Sequence, residues 1–502
     1  MLTLPEVLHR RAAGDRDRVA LDFDDRSFTF GELQSRADEW RVRLAAAGAT
    51  RGTRVALMSG NRPEFVFAVY GALQIGAAVV MCSPAWKAAE IQHAFTVTSP
   101  RLALGDDASC TALSQAVPDA TILSLDATGT RAATDEAAPA DDPEADAVLV
   151  FSSGTTGLPK AVRHTHRSLG HAVEHWITAL GLTEHDRFQV ATPPVHILGL
   201  LNIVTSVAAG TRIRLHRRFD LDAVLRAIAE ERMTLEMAVA PIALAMANHP
   251  RLEEFDLSSL RYIMWGATPV AQEVAQTVTR RSGVRWLPAY GTSEVPVIAA
   301  NPVQAPDRWR LDSVGLAVPG VQVRIADPDT GAVLRPGEAG EIETRSPSAM
   351  AGYLPDSATA GAFHDGWYRT GDIGWLEPGG WLHITDRLKE MVKVRGFQVA
   401  PAEVEAVLHA DPRVRDCAVF GVDDPELGEA VVAAVVPVVG ATIVPEELRA
   451  AVADQLASYK RIRYVVLVDE IPRLPSGKAL RRELKERWDV ELRAQARDEP
   501  LT

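Results

Sequence analysis

Residues 151–162 read FSSGTTGLPKAV, with two serines, two threonines, two glycines, one proline and one lysine in twelve positions. They follow the apolar run 147–150, which reads as a buried strand. A strand that ends in a flexible, hydroxyl-rich loop with one lysine has two readings. One is a phosphate cradle, in which backbone N–H groups, hydroxyls and a cation face an anion. The other is a plain surface turn. A Walker loop requires Gly, four residues, then Gly-Lys-Ser/Thr. Here Leu158 and Pro159 separate Gly157 from Lys160. Near the C-terminus Gly477-Lys478 has Pro472 at the first glycine position and Ala479 at the hydroxyl position, so neither segment is a Walker site.

The surroundings of this loop set the class of protein. A chain of 502 residues exceeds one hydrophobic core, so at least two domains are expected. Its 47% apolar and 24% charged residues fit a globular protein. The net charge of −13 argues against a nucleic-acid-binding surface. Any polyphosphate must be held by particular lysines and N–H groups against that field. Cys82, Cys110 and Cys417 are widely spaced and offer no disulfide framework and no Cys-x-x-Cys metal site. The first residues lack the apolar core of a signal peptide. Residues 65–82 are uncharged, but Gln74 and two glycines divide them into a helix over 63–73, a turn near Gly76 and a strand over 77–81. No stable membrane insertion is expected, and the cytoplasm is the expected compartment.

Up to about residue 310 helical and strand patterns alternate, as in layered α/β architecture. Residues 32–47 carry the helical stripe Leu33, Ala37, Trp40 and Leu44, with Gly48 as a stop. Shorter alternating strands follow, at 321–327 and 340–346, with turns at 329–331 and 336–337. From Met391 the pattern resets to a strand over 391–399, a helix over 401–409, strands over 416–422 and 430–438, a helix over 445–456 and a strand over 463–469. That is a small α+β domain of its own.

The motif order then narrows the reading. SSGTTGLPK (152–160) precedes YGTSE (290–294), YRTGD (368–372), DRLKEMVKVRG (386–396) and PSGK (475–478). This series closely resembles the adenylate-forming (AMP-binding) superfamily across nearly the whole chain. VKVRGFQVAPAEVE looks like the acyl-CoA synthetase and 4-coumarate–CoA ligase branch. The resemblance implies an α/β fold with a large N-terminal domain, 1–388, made of two α/β layered subdomains and a β-barrel-like one. It also implies a small mobile α+β C-terminal domain, 389–502. The implied activity is that of a carboxylic acid–CoA ligase using ATP, Mg²⁺ and coenzyme A and leaving AMP.

The resemblance also implies roles. Ser152, Ser153, Gly154, Thr155, Thr156, Gly157 and Lys160 would grip the ATP phosphates. Gly266, Ala267, Ala289, Tyr290 and Gly291, with Thr292 and Ser293, would border the nucleotide. Glu294 would hold Mg²⁺, a hard cation suited to a carboxylate. Asp372 would accept from both ribose hydroxyls, and Arg387 would reach the ribose or α-phosphate. Lys478 would bridge the acid's carboxylate and the α-phosphate. Lys389 matches the hinge on which the small domain turns. Gly396, Lys393, Tyr459, Lys460 and Arg461 are the candidate coenzyme A contacts, with Lys393 in the strand presented for the thiol step. If Lys389 is that hinge, Lys389→Pro lowers thioester formation far more than acyl-AMP formation. Equal loss in both steps, measured separately, would remove the hinge.

His196 matches the residue placed beside the substrate carboxylate. Val195, Leu198, Trp265, Val295 and Pro296 are the expected acyl walls. The segment FQVATPPVHILGLLN (188–202) carries no acid to pair an α-amine, so a hydrophobic carboxylic acid of secondary metabolism is expected. Three departures from the family pattern stand out: Ala161 after the loop lysine, Pro288-Ala289 before Tyr290, and Trp265. They leave open an enzyme that carries out mainly the thioester-forming half-reaction. A carrier protein acting in trans is the other acceptor to weigh, and the expected state is a monomer or homodimer.

Overall fold

The computed structural model describes residues 3–127, 142–152, 159–266, 272–388, 390–394, 397–424, 427–473 and 477–488. Among them the strands form four sheets. The first runs Gly352–Leu354, Lys160–Thr165, Asp146–Ser152, Ala78–Cys82, Arg54–Met58, Leu102–Gly105 and Thr121–Ser124. The second places Arg212–Leu215, Arg187–Val190, Leu235–Ala238, Tyr262–Trp265 and Trp286–Tyr290 side by side and parallel. Antiparallel strands Ala299–Ala300 and Leu316–Ala317 extend one edge, and Val19–Phe23 with Arg26–Thr29 the other.

One continuous core joins these two sheets, and helix Pro63–Ile75 runs through it. Residues 65–74 of that helix are buried all round, which explains the long uncharged run without a membrane. Gly76 ends it in the left-handed region, φ 77°, and strand Ala78–Cys82 follows. Among the described residues no helix is long and apolar enough to cross a membrane. Helix Phe30–Ala46 buries Phe30, Leu33, Ala37, Trp40 and Leu44 and starts at a capping box in which Thr29 and Glu32 exchange hydrogen bonds.

The third sheet is antiparallel: Gln322–Ala326, Gly340–Arg345 and Trp367–Leu376, with Phe363–His364 and Leu382–Arg387 both pairing along the far edge of Trp367–Leu376. Register shifts at Glu341/Glu343 and Ile373/Gly374 bend it. The fourth sheet belongs to the α+β unit anticipated after Met391 and joins Phe397–Val399, Val392–Val394, Gly428–Pro437, Val414–Asp424 and Tyr464–Leu467. Helices Pro401–His409 and Pro445–Gln455 pack on it over a separate apolar core. One expectation is corrected here. The single strand expected over 391–399 is instead two, Val392–Val394 and Phe397–Val399, which pair antiparallel with Val394 opposite Phe397.

Candidate active site

The parallel strands of the second sheet release their loops at one end, where ligands of such sheets gather. Tyr290 closes strand Trp286–Tyr290, and Gly266 follows Tyr262–Trp265. Val195 and His196 lie beyond Arg187–Val190. In the first sheet Ser152 pairs with Lys160 across a hairpin. Ser153, Gly154, Thr155, Thr156 and Gly157 of its loop lie outside the described residues, as do Ala267, Lys389 and Gly396.

Asp372 is the centre of the arrangement. It is 5% exposed and faces Arg387 across the pair Trp367–Leu376 and Leu382–Arg387. The Tyr290 hydroxyl donates to Asp372 Oδ2 at 2.6 Å, and Arg387 Nε lies 3.1 Å from Oδ1. Burial pushes the Asp372 carboxyl above its ordinary range, while Arg387 and Tyr290 oppose the shift. Burial also holds the Tyr290 phenol well above its usual pKa, so it remains a donor. The result is a carboxylate with both oxygens oriented, beside a fixed cation.

Glu294 sits in the turn after Tyr290, where Thr292 N–H donates to the Val295 carbonyl and Val295 N–H to Thr292 Oγ1. Gly291 makes this turn possible, since a Cβ there would fall 2.0 Å from the Pro296 carbonyl oxygen. The Tyr353 hydroxyl donates to Glu294 Oε1 at 2.9 Å. The Tyr353 ring also meets Lys160 Nζ at 5.1 Å, a cation–π distance. His164, wholly buried, has Nε2 2.8 Å from the Ser293 carbonyl; that nitrogen carries the proton, since a carbonyl only accepts. Burial lowers the ring's pKa to about 4, so it is neutral. Tyr353 and His164 therefore tie the Ser152–Lys160 hairpin to the Glu294 turn. Sequence reading passed over both. Neither is marked by a local pattern, since each acts across elements distant in sequence.

No group of three or more His, Cys, Asp or Glu side chains close enough to hold a metal occurs among the described residues.

Lys478 comes to this site from the far end of the chain. Burial lowers its pKa first, the nearby Arg387 lowers it further, and Glu390 and Asp372 oppose both. Its Nζ lies 3.0 Å from Glu390 Oε1. The C-terminal unit thus presents Lys478, not Lys393, to the Asp372–Arg387 pair. Lys393 and Phe397 are exposed on the hairpin, and Phe397 stacks on Tyr459 at 4.6 Å and 18°. Lys460 is paired with Glu403.

On the acyl side, His196 opens helix Ile197–Ala209, and burial lowers its pKa so that the ring is neutral. Val195 and Val295 are buried, and Leu198 and Pro296 half-buried, near it in sequence or in the Glu294 turn. Trp265 departs from expectation. Alternate residues of its strand face opposite ways, so Met264 joins the core between the large sheets while Ile263 and Trp265 join the helical layer. The Trp265 ring is fully buried there, 5.2 Å from that of Trp286. It backs the strand as core rather than standing as an open wall.

A family model described as AMP-binding enzyme matches residues 8–354, and one for the AMP-binding enzyme C-terminal domain matches 403–478. The chain belongs to the AMP-binding enzyme family. Among its relatives, 4-coumarate–CoA ligase 3 of Oryza sativa subsp. japonica is 33% identical, over 97% of this chain and 92% of the relative. ATP-bound MatB from Rhodopseudomonas palustris superposes with a TM-score of 0.90 at 27% identity, over 97% of this chain and 99% of that one. The amide bond synthetase McbA from Marinactinospora thermotolerans gives a TM-score of 0.88 at 32% identity, over 97% and 99%.

Proposed function

We propose that this AMP-binding enzyme activates a hydrophobic carboxylic acid with ATP and passes the acyl group to coenzyme A. In the first step a carboxylate oxygen attacks the α-phosphorus and pyrophosphate leaves. In the second the thiol sulfur attacks the acyl carbonyl and AMP leaves, the thiol proton going to solvent or a nearby base. Two anions must meet in the first step, so fixed positive charge is needed where they join. The observation that carries this reading is the convergence of Asp372, Arg387 and Lys478 from two units of the chain.

Asp372 accepts from the ribose, Arg387 and Lys478 balance the α-phosphate, and Ser152 to Lys160 take the outgoing pyrophosphate. Glu294, oriented by the Tyr353 hydroxyl, would hold Mg²⁺, which when bound would supply further neutralisation of the phosphates. Neutral His196 stands by the acid. For the thiol step the unit after residue 388 turns about Lys389 and brings Lys393, Gly396 and Lys460 to the cleft.

The test is AMP release over a panel of aryl and medium-chain acids, with and without coenzyme A and with and without Mg²⁺. Steady AMP formation that requires acid, coenzyme A and Mg²⁺ together is expected. Thioester formed from synthetic acyl-AMP but not from ATP and acid would replace this reading with the half-reaction alone. One observation favours a second acceptor. The 32% identity to an amide bond synthetase over nearly the whole chain supports an amine as the attacking group, so primary amines belong in the same panel. Amide product exceeding thioester at equal acceptor concentration would decide for it.

A further inference from the structure

Lys478 does not hold its place alone. Glu390 Oε1 meets its Nζ at 3.0 Å, and Glu390 Oε2 pairs with Arg481, three residues beyond the lysine. Arg481 is itself fixed, by Glu405 at 2.8 and 3.0 Å and by its Nε donating to the Val419 carbonyl at 2.9 Å. Glu405 Oε1 also accepts from Val419 N–H at 2.7 Å. The chain Glu405–Arg481–Glu390–Lys478 is therefore braced on the core strand Val414–Asp424, and its free end is the ammonium facing Asp372 and Arg387. Glu390 also directly follows the expected hinge residue Lys389 in sequence.

From this geometry we infer that Glu390 is a positioning residue for acyl-AMP formation: it aims the Lys478 ammonium into the nucleotide cleft and keeps it charged there. The inference rests on the reading of Lys478 as the adenylation lysine. It adds a residue that touches no substrate and acts through that lysine. The need for it follows from the surroundings. Burial and the Arg387 guanidinium both favour a neutral amine at Lys478. The opposing groups are Glu390, in direct contact, and Asp372 in the strand Trp367–Leu376. Arg481 is committed to the two glutamates and does not compensate. Removing the Glu390 charge lowers the Lys478 pKa further, so the protonated form is lost at a lower pH than in the wild type.

The experiment separates the two half-reactions. Acyl-AMP formation is followed by pyrophosphate release from ATP and acid across pH, and the second step by thioester release from synthetic acyl-AMP and coenzyme A. Glu390→Gln is expected to slow the first step about tenfold to a hundredfold, the cost of a misplaced catalytic group. It should also move the alkaline limb of that step's pH profile down by about one unit. Thioester release from acyl-AMP should stay within about twofold of wild type. Glu390→Asp keeps the charge but shortens the reach, so it slows the first step while its alkaline limb moves less. A Glu390→Gln enzyme slowed equally in both steps, or in neither, or slowed with no movement of the limb, overturns the inference. Lys478→Ala run alongside separates the two failures. If it leaves acyl-AMP formation intact, the underlying reading of the lysine has failed and the inference with it. If it abolishes that step while Glu390→Gln does nothing, only the role of Glu390 falls.

Discussion

Lys478→Ala slows acyl-AMP formation about a hundred- to a thousandfold, the loss expected when a fixed donor worth about 3–4 kcal/mol in the transition state is removed. The magnitude follows from where the ammonium sits. It is half-buried beside the Arg387 guanidinium, where the Glu390 and Asp372 carboxylates support its charge. In the proposed step that charge meets the joined carboxylate and α-phosphate. The effect should fall on the turnover rate more than on the affinity for ATP, since the interaction is strongest as the two anions join. Thioester formation from synthetic acyl-AMP should persist, because no phosphate is being attacked in that step. Pyrophosphate release measured under single-turnover conditions reads the first step directly. An unchanged rate there would take Lys478 out of the chemistry.

Asp372→Ala weakens nucleotide binding at least about a hundredfold, since each hydrogen bond to a charged acceptor contributes about 1.5–3 kcal/mol and two ribose hydroxyls lose theirs. The structure sharpens this expectation, because Tyr290 and Arg387 already aim both carboxylate oxygens. Isothermal titration with AMP checks it. Wild-type enzyme should also discriminate strongly against 2′-deoxy-ATP, whereas the variant should treat the two nucleotides nearly alike. Discrimination that survives in the variant would place the ribose elsewhere. The carboxyl is raised by burial, so acidification removes its acceptor character sooner than for an exposed aspartate. Nucleotide affinity should therefore fall on the acid side from above the ordinary carboxylate range.

Much of this architecture was written in short-range pattern. The stripe of Leu33, Ala37, Trp40 and Leu44 names the buried face of its helix, and Gly76 names a helix end. The helix over 401–409 starts at a proline and was legible to the residue. The reversal between Val392–Val394 and Phe397–Val399 was missed, although Gly396 within that β-rich run is a turn signal. The grouping of side chains was legible for the motif residues Asp372, Arg387 and Lys478, which the structure brings together. It was not legible where a residue acts by crossing between elements distant in sequence. Tyr353 reaches Glu294 from 59 positions away, and His164 reaches Ser293 from 129. Glu390 stood in plain view within DRLKE, yet its partner lies in another segment of the chain. Trp265 was misplaced for a related reason. Strand parity decides which layer a side chain enters, and the composition of its motif does not reveal it.

The apolar clusters of the C-terminal unit share no residue with those of the large sheets, and Asp386 meets the unit through a hydrogen bond from Ala402 N–H at 2.9 Å. If that unit turns as proposed, it trades polar contacts for water and uncovers little hydrocarbon, so the balance between orientations should carry a small heat-capacity change and shift little with temperature. Added electrolyte, which weakens such contacts, is the condition that should move it.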